Sequence, residues 1–470
     1  MKSTDSMKIV LNDKDNVGVS LTDTDIPAGH KYALVDVEVG ERIIKYGEII
    51  GRATKDIKNG EWVHTHNVRS HLDESVSYEY NYSAVEFNTP KMTFRGYKRA
   101  HGRAGIRNDI YIIPTVGCVN NVCEALAKRC QPLIKGSIDG VWALTHQFGC
   151  SQLGTDNENI RKLLSGIALN PNATYVLFVG LGCENNGIDG IREYLSSYGH
   201  DNIEYMICQD ETDEIERGME ILEDFIERAS ALKREDIDIS ELTIGLKCGG
   251  SDGYSGITAN PTLGRVVDKI VGAGGSAILT EVPEMFGAEQ ILMNKCKNED
   301  VFARYKKMIE DFKAYYTDQG FPVYENPSPG NKKGGITTLE EKSLGCIKKA
   351  GNSDIVDVLG YGEIQKERGV SALNAPGNDL IASTALGASG CQIVVFTTGR
   401  GTPFSTFVPT LKVSSNDKLA EKKTNWIDYN AYSCDDEGLL ELVIKCSSGE
   451  YHSKCEEWRE IAFYKTGVTL

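Results

Sequence analysis

The sequence predicts an α/β multidomain protein, in which a small N-terminal β domain precedes a longer region of alternating strands and helices. Five glycines between residues 29 and 60 separate short apolar runs, a spacing typical of tight hairpins in a small β domain. From Tyr97 onward, almost continuous apolar runs alternate with stretches of helical spacing. Such runs are typical of parallel strands that helices cover on both faces, so the second region is predicted to contain parallel sheets.

The chain of 470 residues has room for several domains, and changes of pattern place their boundaries. We expect a β domain at 7–77, a linker at 78–93, an α/β domain at 94–240 and a second α/β domain at 241–470. The predicted strands lie in DIYIIPTVGC, GVWALTHQFGC, TYVLFVGLGC and LTIGLKCGG. The predicted helices lie in NVCEALAKRCQPLI, NENIRKLLSGIAL and ETDEIERGMEILEDFIERASAL.

Charge and composition exclude several classes of function. A formal net charge of −16, without a run of Lys and Arg, argues against nucleic-acid binding. No apolar segment reaches the length of a signal peptide or a membrane span, so we expect a cytoplasmic protein without a membrane partner. The thirteen scattered cysteines predict free thiols or metal ligands rather than a disulfide framework. The expected partner is a small molecule, and a homo-oligomer is compatible with these features.

Each of the four predicted strands ends at a cysteine. Cysteine is a small hydrophobe that is common at strand exits, so core packing is one interpretation. The carboxyl ends of parallel strands meet at one edge of a sheet, where ligands bind, and a site lined by thiols and polar groups is the other interpretation. The residues concerned are Cys118, Cys150, Cys183 and Cys248, with His146, Glu184 and Asp252 in the same exit loops.

Two histidines, His64 and His66, stand two residues apart in a chain that has eight histidines. In an extended segment, side chains two apart point to the same side, so both imidazoles would face one point, as metal ligands do. The alternative is an exposed strand end at which both side chains meet only water.

Loops rich in Gly, Ser, Thr and Asn fill the last third of the chain. They would bring backbone amides and neutral hydrogen-bonding groups to a polyhydroxylated ligand, while Lys and Arg meet its carboxylate. The alternative is a set of ordinary surface loops, since none matches a phosphate-binding loop, a dinucleotide fingerprint or a nucleophile elbow. The candidates are Ser251, Asn331, Asn378 and Asp379, with Lys247, Lys333 and Arg400 as the cations.

From Met7 onward the chain resembles the altronate and galactarate dehydratases, a family of sugar-acid hydro-lyases. The segments that carry the resemblance are GHKYAL, IKYGEIIGRATKDIKNGEWVHTHN, GYKRAHGRAGIRN, KCGGSDGYSGITANPTLG, NPSPGNKKGGITTLEEKSLGC, APGNDLIASTALGASGCQIVVFTTGRGTPF and VPTLK. The resemblance implies an N-terminal SAF-like β-clip domain, and dehydration of a sugar acid, most closely altronate, to a 2-keto-3-deoxy acid. His101 stands where the family commonly has Asp, which leaves the role of that position open.

The resemblance also implies a divalent metal, Fe²⁺ as first choice with Mn²⁺ as an alternative. His64 and His66 match the family segment, and the third ligand is expected to be His30 or a group from the catalytic region. We assign His146, Lys247 and Arg400 as candidate catalytic residues, His146 having a structural role as its alternative. The candidate substrate-binding residues are Cys150, Cys183, Glu184, Ser251, Asp252, Asn331, Lys333, Asn378 and Asp379.

Three other functions remain open at this stage. The four strand-end cysteines are suited to an iron–sulfur cluster, which would then supply the Lewis acid. Galactarate or a related aldarate or aldonate is the alternative substrate. A sugar-acid binding protein without turnover is the alternative from another class, although histidines in metal-ligand positions argue against it.

Overall fold

The structure is a computed structural model that describes residues 3–5, 8–72, 77–85, 87, 89–199 and 201–470, with the side chains of residues 3–5 left aside. Met7, where the β domain was expected to begin, and residues 86 and 88 of the expected linker lie outside the described residues. Within these ranges, no helix has both the length and the apolar character needed to cross a bilayer.

The N-terminal region is a small β domain with two sheets, ordered β1-β2-β3-β4-β7 and β5-β6-β8. A two-residue turn joins β5 to β6, and both of its residues, Tyr46 and Gly47, have positive φ, as tight hairpins require. The predicted tight hairpins are therefore confirmed. Its strands are β1 (Ser3–Asp5), β2 (Lys8–Ile9), β3 (Val17–Ser20), β4 (Lys31–Ala33), β5 (Arg42–Lys45), β6 (Glu48–Ala53), β7 (Trp62–Val63) and β8 (Val68–Arg69).

The second region contains a four-stranded parallel sheet, ordered β11-β10-β12-β13, between two layers of helices. Helices α1 and α4 pack on one face, and α2 and α3 pack on the other. Strands β9 and β14, the first and last elements of the region, form a short antiparallel pair. The elements are β9 (Thr93–Gly96), β10 (Asp109–Pro114), α1 (Asn120–Cys130), β11 (Gly140–Ala143), α2 (Gly154–Ala168), β12 (Ala173–Gly180), α3 (Ile188–Leu195), β13 (Ile203–Ile207), α4 (Glu214–Ser230) and β14 (Glu235–Asp238).

The third region is built on a seven-stranded parallel sheet, ordered β17-β18-β16-β15-β19-β21-β22. Its strands are β15 (Thr243–Cys248), β16 (Ser276–Leu279), β17 (Ile355–Leu359), β18 (Val370–Leu373), β19 (Ile393–Thr398), β21 (Thr410–Ser414) and β22 (Tyr429–Asn430), and β20 (Ser405–Thr406) pairs with β23 (Arg459–Glu460). Its helices are α5 (Ala259–Gly272), α6 (Glu289–Met293), α7 (Glu299–Asp318), α8 (Pro329–Lys333), α9 (Leu339–Cys346), α10 (Asp379–Ala388), α11 (Asp417–Lys422) and α12 (Asp436–Ser447).

The four predicted strands and three predicted helices are all present, but one prediction about their arrangement is wrong. The strands that end before Cys118, Cys150 and Cys183 belong to the four-stranded sheet, whereas β15, which ends at Cys248, lies in the seven-stranded sheet. Apolar character identifies a buried strand without identifying its neighbours, so the sequence could not separate the two sheets.

The end of the chain returns from the third region to the second. Arg459 donates to the buried Asp109 carboxylate at 2.7 Å, and the backbone N–H of Leu470 donates to the Ser151 carbonyl at 3.0 Å. The expected boundary near residue 240 therefore separates the two parallel sheets, but the final strand packs across it.

The expected linker runs along the third region, and its described residues contain neither helix nor strand until β9 begins. The Tyr82 hydroxyl donates to the Asp354 carboxylate at 2.6 Å, and the Tyr80 hydroxyl donates to the Cys296 carbonyl at 3.3 Å. These contacts hold the linker against the third region.

A buried carboxylate, Glu341 on α9, holds the β domain against the third region. It accepts hydrogen bonds from the ammonium groups of Lys31 and Lys45, each at 2.8 Å, and all three side chains are almost fully buried. Burial by itself would raise the pKa of Glu341, but the two ammonium groups outweigh it and hold the pKa well below its ordinary value. The carboxylate therefore stays ionised and satisfies both lysines.

Further hydrogen bonds at the start of α9 also hold the β domain against the third region. Glu340, also on α9, accepts from the Ser70 hydroxyl at 2.9 Å and from the His71 backbone N–H at 2.7 Å. The Thr338 hydroxyl donates to the Ile50 carbonyl. The start of α9 is thus bonded to several strands of the β domain, so the two bodies have one defined orientation.

We predict that Glu341→Gln destabilises the protein by about 3–5 kcal/mol, because it leaves two buried ammonium groups without a compensating charge. The melting temperature of the full chain checks this, with the exposed Glu421→Gln as the matched control, expected to change stability by less than ~0.5 kcal/mol.

The pH dependence follows from the lowered pKa of Glu341. The stabilisation is complete above the ordinary pKa of a carboxyl group and is lost as the pH falls towards the lowered folded-state pKa. The difference in melting temperature between wild type and Glu341→Gln should therefore shrink in acid. An equal melting temperature for both proteins at neutral pH would contradict this account.

Candidate active site

A cavity of about 540 Å³ lies where the β domain meets the loops of the third region. One wall comes from the loop between β3 and β4, and the other comes from loops at the carboxyl ends of β15, β19 and β21. Ligands of open parallel sheets bind at this edge. The lining residues include Asp23, Asp252, Tyr254, Arg400, Asn416 and Lys418.

The two walls meet at glycines. The backbone N–H of Gly253 donates to the Gly334 carbonyl at 2.7 Å, and a Cβ on Gly253 would lie 1.9 Å from the Gly29 carbonyl oxygen. Only glycine fits such an approach. The position next to Gly29 is His30, so this contact brings the first candidate metal ligand to the third region.

His30 and His64 lie side by side in the β domain. Their ring centroids are 5.0 Å apart with the planes nearly perpendicular, and Trp62 packs against both rings. His30 Nε2 donates to the Lys333 carbonyl at 3.3 Å. Both histidines are buried, whereas His66 is exposed and contacts the Trp62 ring.

The extended geometry that was expected for His64 and His66 is not observed. Strand β7 ends at Val63, and the His64 carbonyl accepts from the backbone N–H groups of Asn67 and Val68. The Asn67 side chain in turn accepts from the His64 N–H at 2.8 Å, which closes the turn. The two-residue spacing therefore does not by itself aim both imidazoles at one point.

The chemistry of His30 and His64 nevertheless fits metal ligation. Within the described part of the chain, the Nδ1 atoms of both residues are buried and have no hydrogen-bond partner. Burial, followed by the charge of Lys31, lowers the pKa of His30 and lowers that of His64 to about 4. Both imidazoles are thus neutral at pH 7, the form that binds a metal ion.

A metal site with three protein ligands would need one residue more than His30 and His64. Among the described residues, the one set of three His, Cys, Asp or Glu ligand atoms within 4.8 Å of one another is Cys248, Glu284 and Cys346. There, the Lys349 ammonium lies 3.0 Å from Cys248 Sγ, and the Lys342 ammonium lies 2.7 Å from Glu284. Ammonium groups already balance this set, so it is not a favourable place for a cation.

Lys247 lies at the end of β15 and is fully buried in a network of charges. Its ammonium contacts the Glu281 carboxylate, the Asp379 carboxylate at 2.8 Å and the Cys248 carbonyl at 2.6 Å. Burial opposes the charge, but Glu281 and then Asp379 outweigh it and raise the pKa of Lys247 above its ordinary value. Lys247 is therefore a fixed positive charge and does not act as a base in this arrangement.

Glu281 and Glu284 belong to the same network and were not predicted. Glu281 follows β16, has φ of 71° although it is not glycine, and accepts from both Lys247 and Lys349. Such a strained backbone conformation persists only where the surroundings enforce it and is common at functional sites. Applying the strand-exit rule to β16, which was not recognised from the sequence, would have identified this residue.

Several predicted substrate-binding residues hold loops together instead of pointing freely into the cavity. Asp252 accepts hydrogen bonds from Ser255, Ser415 and Asn416, so it joins the exit loops of β15 and β21. The amide of Asn331 donates to the Ser251 carbonyl at 2.8 Å. Their contribution to a ligand site is the positioning of these loops.

Asn378, Asp379, Lys333 and Arg400 have different environments. Asn378 caps α10 through its side-chain oxygen, while the Asp379 carboxylate beside it is about one-third exposed (36%). Lys333 is exposed and meets His30 through its carbonyl. Arg400 lines the cavity, and one of its guanidinium N–H groups donates to the Gly330 carbonyl at 3.3 Å.

His146 lies in the second region, and both of its ring nitrogens have backbone partners. Nε2 donates to the Pro114 carbonyl at 2.8 Å, and Nδ1 accepts from the Phe148 N–H at 3.1 Å. Burial lowers the pKa of His146 to about 4. This geometry favours the structural alternative to a catalytic role, because proton transfer would require one of these bonds to break.

The remaining candidates of the second region surround the carboxyl edge of the four-stranded sheet. Glu184 accepts from the backbone N–H groups of Gly182 and Cys183, at 2.7 and 2.9 Å, and so closes the loop after β12. Cys150 and Cys183 are exposed. His101 is exposed between β9 and β10 and is not part of the cavity lining described above.

Three family models match the chain in succession. Residues 16–71 match the altronate/galactarate dehydratase SAF domain, and residues 96–230 match the second domain of D-galactarate dehydratase/altronate hydrolase. Residues 239–469 match the D-galactarate/altronate dehydratase C-terminal domain. The three matched segments coincide with the three regions of the fold.

Curated relatives match over nearly their full length. An altronate dehydratase of Bacillus subtilis is 49% identical, covering 96% of this chain and 94% of the relative. An altronate dehydratase of Escherichia coli is 46% identical, with 97% and 94% covered. A galactarate dehydratase (L-threo-forming) of Escherichia coli is more distant, at 32% identity with 97% and 93% covered. The chain belongs to the D-galactarate/altronate dehydratase family.

Proposed function

We propose that the protein is a hydro-lyase that dehydrates D-altronate to 2-dehydro-3-deoxy-D-gluconate and water. The observation that carries the proposal is the cavity between the β domain and the third region, where Arg400 and Lys418 meet glycine-rich loops. The identity of 46–49% to two altronate dehydratases favours altronate over galactarate, whose dehydratase is 32% identical. The thirteen cysteines are free thiols, which suits a cytoplasmic enzyme.

Dehydration of a 2,3-dihydroxy acid removes the proton at C2, next to the carboxylate, and expels the hydroxyl from C3. The negative charge that develops on the carboxylate needs positive groups close by. Arg400 and Lys418 line the cavity and supply the grip on the substrate carboxylate. Arg400 lies in the exit loop of β19 and Lys418 in the first turn of α11, which follows β21, and these elements fix the position of that grip.

His30 and His64 would hold the divalent metal, with His66 as the third candidate from the adjoining turn. Fe²⁺ is the first choice and Mn²⁺ the alternative, because imidazole nitrogen suits both. Bound there, the metal would supply Lewis-acid stabilisation of the substrate carboxylate and hydroxyl. The hydrogen bond from His30 Nε2 to the Lys333 carbonyl fixes the tautomer and leaves Nδ1 as the ligating atom.

We assign the acceptor of the C2 proton to Asp379. Its carboxylate is partly exposed, and the Lys247 ammonium beside it keeps it in place. Lys247 itself remains protonated, and Glu281 holds it from the buried side. We therefore propose that Lys247 positions Asp379, in place of the direct catalytic role expected from the sequence.

The substrate proposal predicts that a panel of aldonic and aldaric acids, assayed anaerobically with Fe²⁺, gives the 2-keto-3-deoxy product fastest with D-altronate. Galactarate is the matched comparison and should show kcat/KM at least ~10-fold lower, because a site built for one arrangement of hydroxyls leaves buried groups unpaired with another. Equal or higher kcat/KM with galactarate would contradict the choice of altronate, and binding without turnover of any acid would contradict the enzyme proposal.

The metal proposal predicts that His64→Ala loses bound metal and lowers kcat/KM about 10²-fold or more. Without the metal, the transition state loses Lewis-acid stabilisation of its developing negative charge. Metal content, circular dichroism and activity are measured together, so that loss of fold is recognised. His452→Ala, whose side chain is largely exposed, is the control and should retain metal and activity. Full activity of a metal-stripped double variant, His64→Ala with His66→Ala, would refute the assignment.

A further inference from the structure

Three exposed cysteines occupy the carboxyl edge of the four-stranded sheet. Cys118 follows β10, Cys150 follows β11 and Cys183 follows β12, and these strands are direct neighbours in the order β11-β10-β12. All three are free thiols. Neighbouring strands of a sheet lie about 4.8 Å apart, so the three loops that leave them emerge close together.

Hydrogen bonds join these three loops directly. The Gly117 N–H, next to Cys118, donates to the Phe148 carbonyl at 2.9 Å in the loop of Cys150. On the other side, the Asn186 N–H donates to the Gly149 carbonyl at 3.0 Å, and the Ser151 N–H donates to the Asn185 side chain at 3.0 Å. The loop of Cys150 is thus bonded to the loops of both other cysteines.

The loop that carries Cys150 has an unusual backbone conformation on both sides of this residue. Gly149 has φ of 106° and Ser151 has φ of 70°, the latter a conformation that side-chain-bearing residues adopt at a cost. A Cβ at Gly149 would lie 1.9 Å from the Thr115 carbonyl oxygen, so the loop passes very close to the end of β10. The turn therefore places Cys150 against the exit of the strand that carries Cys118.

We propose that Cys118, Cys150 and Cys183 bind a [4Fe–4S] cluster through three thiolates, leaving one iron without a protein ligand. Thiolates are the preferred ligands of iron–sulfur clusters. The ligands of a single metal ion lie close together. Among the described residues, the one set of three ligand atoms within 4.8 Å of one another is that of Cys248, Glu284 and Cys346, which includes none of these three cysteines. The three sulfurs therefore do not form a preassembled single-ion site.

A fourth protein thiolate is not offered at this edge. Cys208 follows β13, the next strand of the sheet, but it is half-buried, and burial raises the pKa of its thiol to about 11. Cys123 on α1 is fully buried. The exposed thiols therefore account for three ligands, and the fourth iron would be open to water or to an oxygen-bearing molecule.

Cluster binding needs no redox step when the iron is supplied as equal amounts of ferrous and ferric ions, because two of each with four sulfides give the 2+ state of a [4Fe–4S] cluster. Each of the three thiols releases one proton to solvent and forms one iron–sulfur bond with an iron of the cluster, which is assembled from iron and inorganic sulfide. The site lies in the second region, apart from His30 and His64 in the β domain, and the proposal does not rest on the dehydratase assignment. Asn186, fully buried in the loop after Cys183, has an amide nitrogen that is unpaired within the described chain.

The test uses the full chain, reconstituted anaerobically with equal amounts of ferrous and ferric iron, sulfide and a thiol that keeps the cysteines reduced. We expect about four iron and about four acid-labile sulfide per chain, visible absorbance and, after reduction, the electron paramagnetic resonance of a [4Fe–4S] centre. Cys118→Ser, Cys150→Ser and Cys183→Ser should each lose at least half of this content. Cys434→Ser, which changes another exposed free thiol, should bind as the wild type does.

Circular dichroism and melting temperature show whether the variants fold. Alkylation of the reconstituted wild type adds a measurement that needs no variant: Cys118, Cys150 and Cys183 should be protected, while Cys434 reacts. Iron bound without labile sulfide, zinc bound in preference to a cluster, or unchanged cluster content in the triple serine variant would each overturn the proposal.

Discussion

The ionised Glu341 between Lys31 and Lys45 is the interaction on which the arrangement of the site depends. Taking three charged side chains out of water is costly, and the cost is recovered only when their geometry is well defined. The triad therefore permits one docking of the β domain and disfavours others. This docking places His30 beside the Lys333 carbonyl and lets the two domains share one cavity.

The polar groups around the site divide into those with partners and those without, and this division indicates their roles. Lys247 and Glu281 are buried and fully paired, so they fix the electrostatics at the end of β15. The Nδ1 atoms of His30 and His64 are buried without partners in the described chain, an arrangement that is costly unless a ligand completes it. The paired groups position the site, and the unpaired imidazoles are the ones available to bind.

The sequence predicted the elements of the fold better than their arrangement. Apolar runs identify β10, β11, β12 and β15 because burial on both faces leaves a strong signal. Strand order leaves no such signal, so Cys248 was placed with the wrong sheet. The site shows the same limit: residue type and loop position proposed Lys247 and Arg400, and the family resemblance proposed His30. The hydrogen bonds that make Asp252 a loop anchor depend on contacts distant in sequence.

The central claim is that one active site is completed by the β domain and the third region, which Glu341 holds together. A protease site inserted between Leu72 and Ser77, cleaved after folding, tests it most directly. The cleaved enzyme should keep both pieces together on gel filtration and retain dehydratase activity, whereas the same cleavage in Glu341→Gln should release the β domain and abolish activity. Full activity of the large piece after the β domain has been removed would contradict the account.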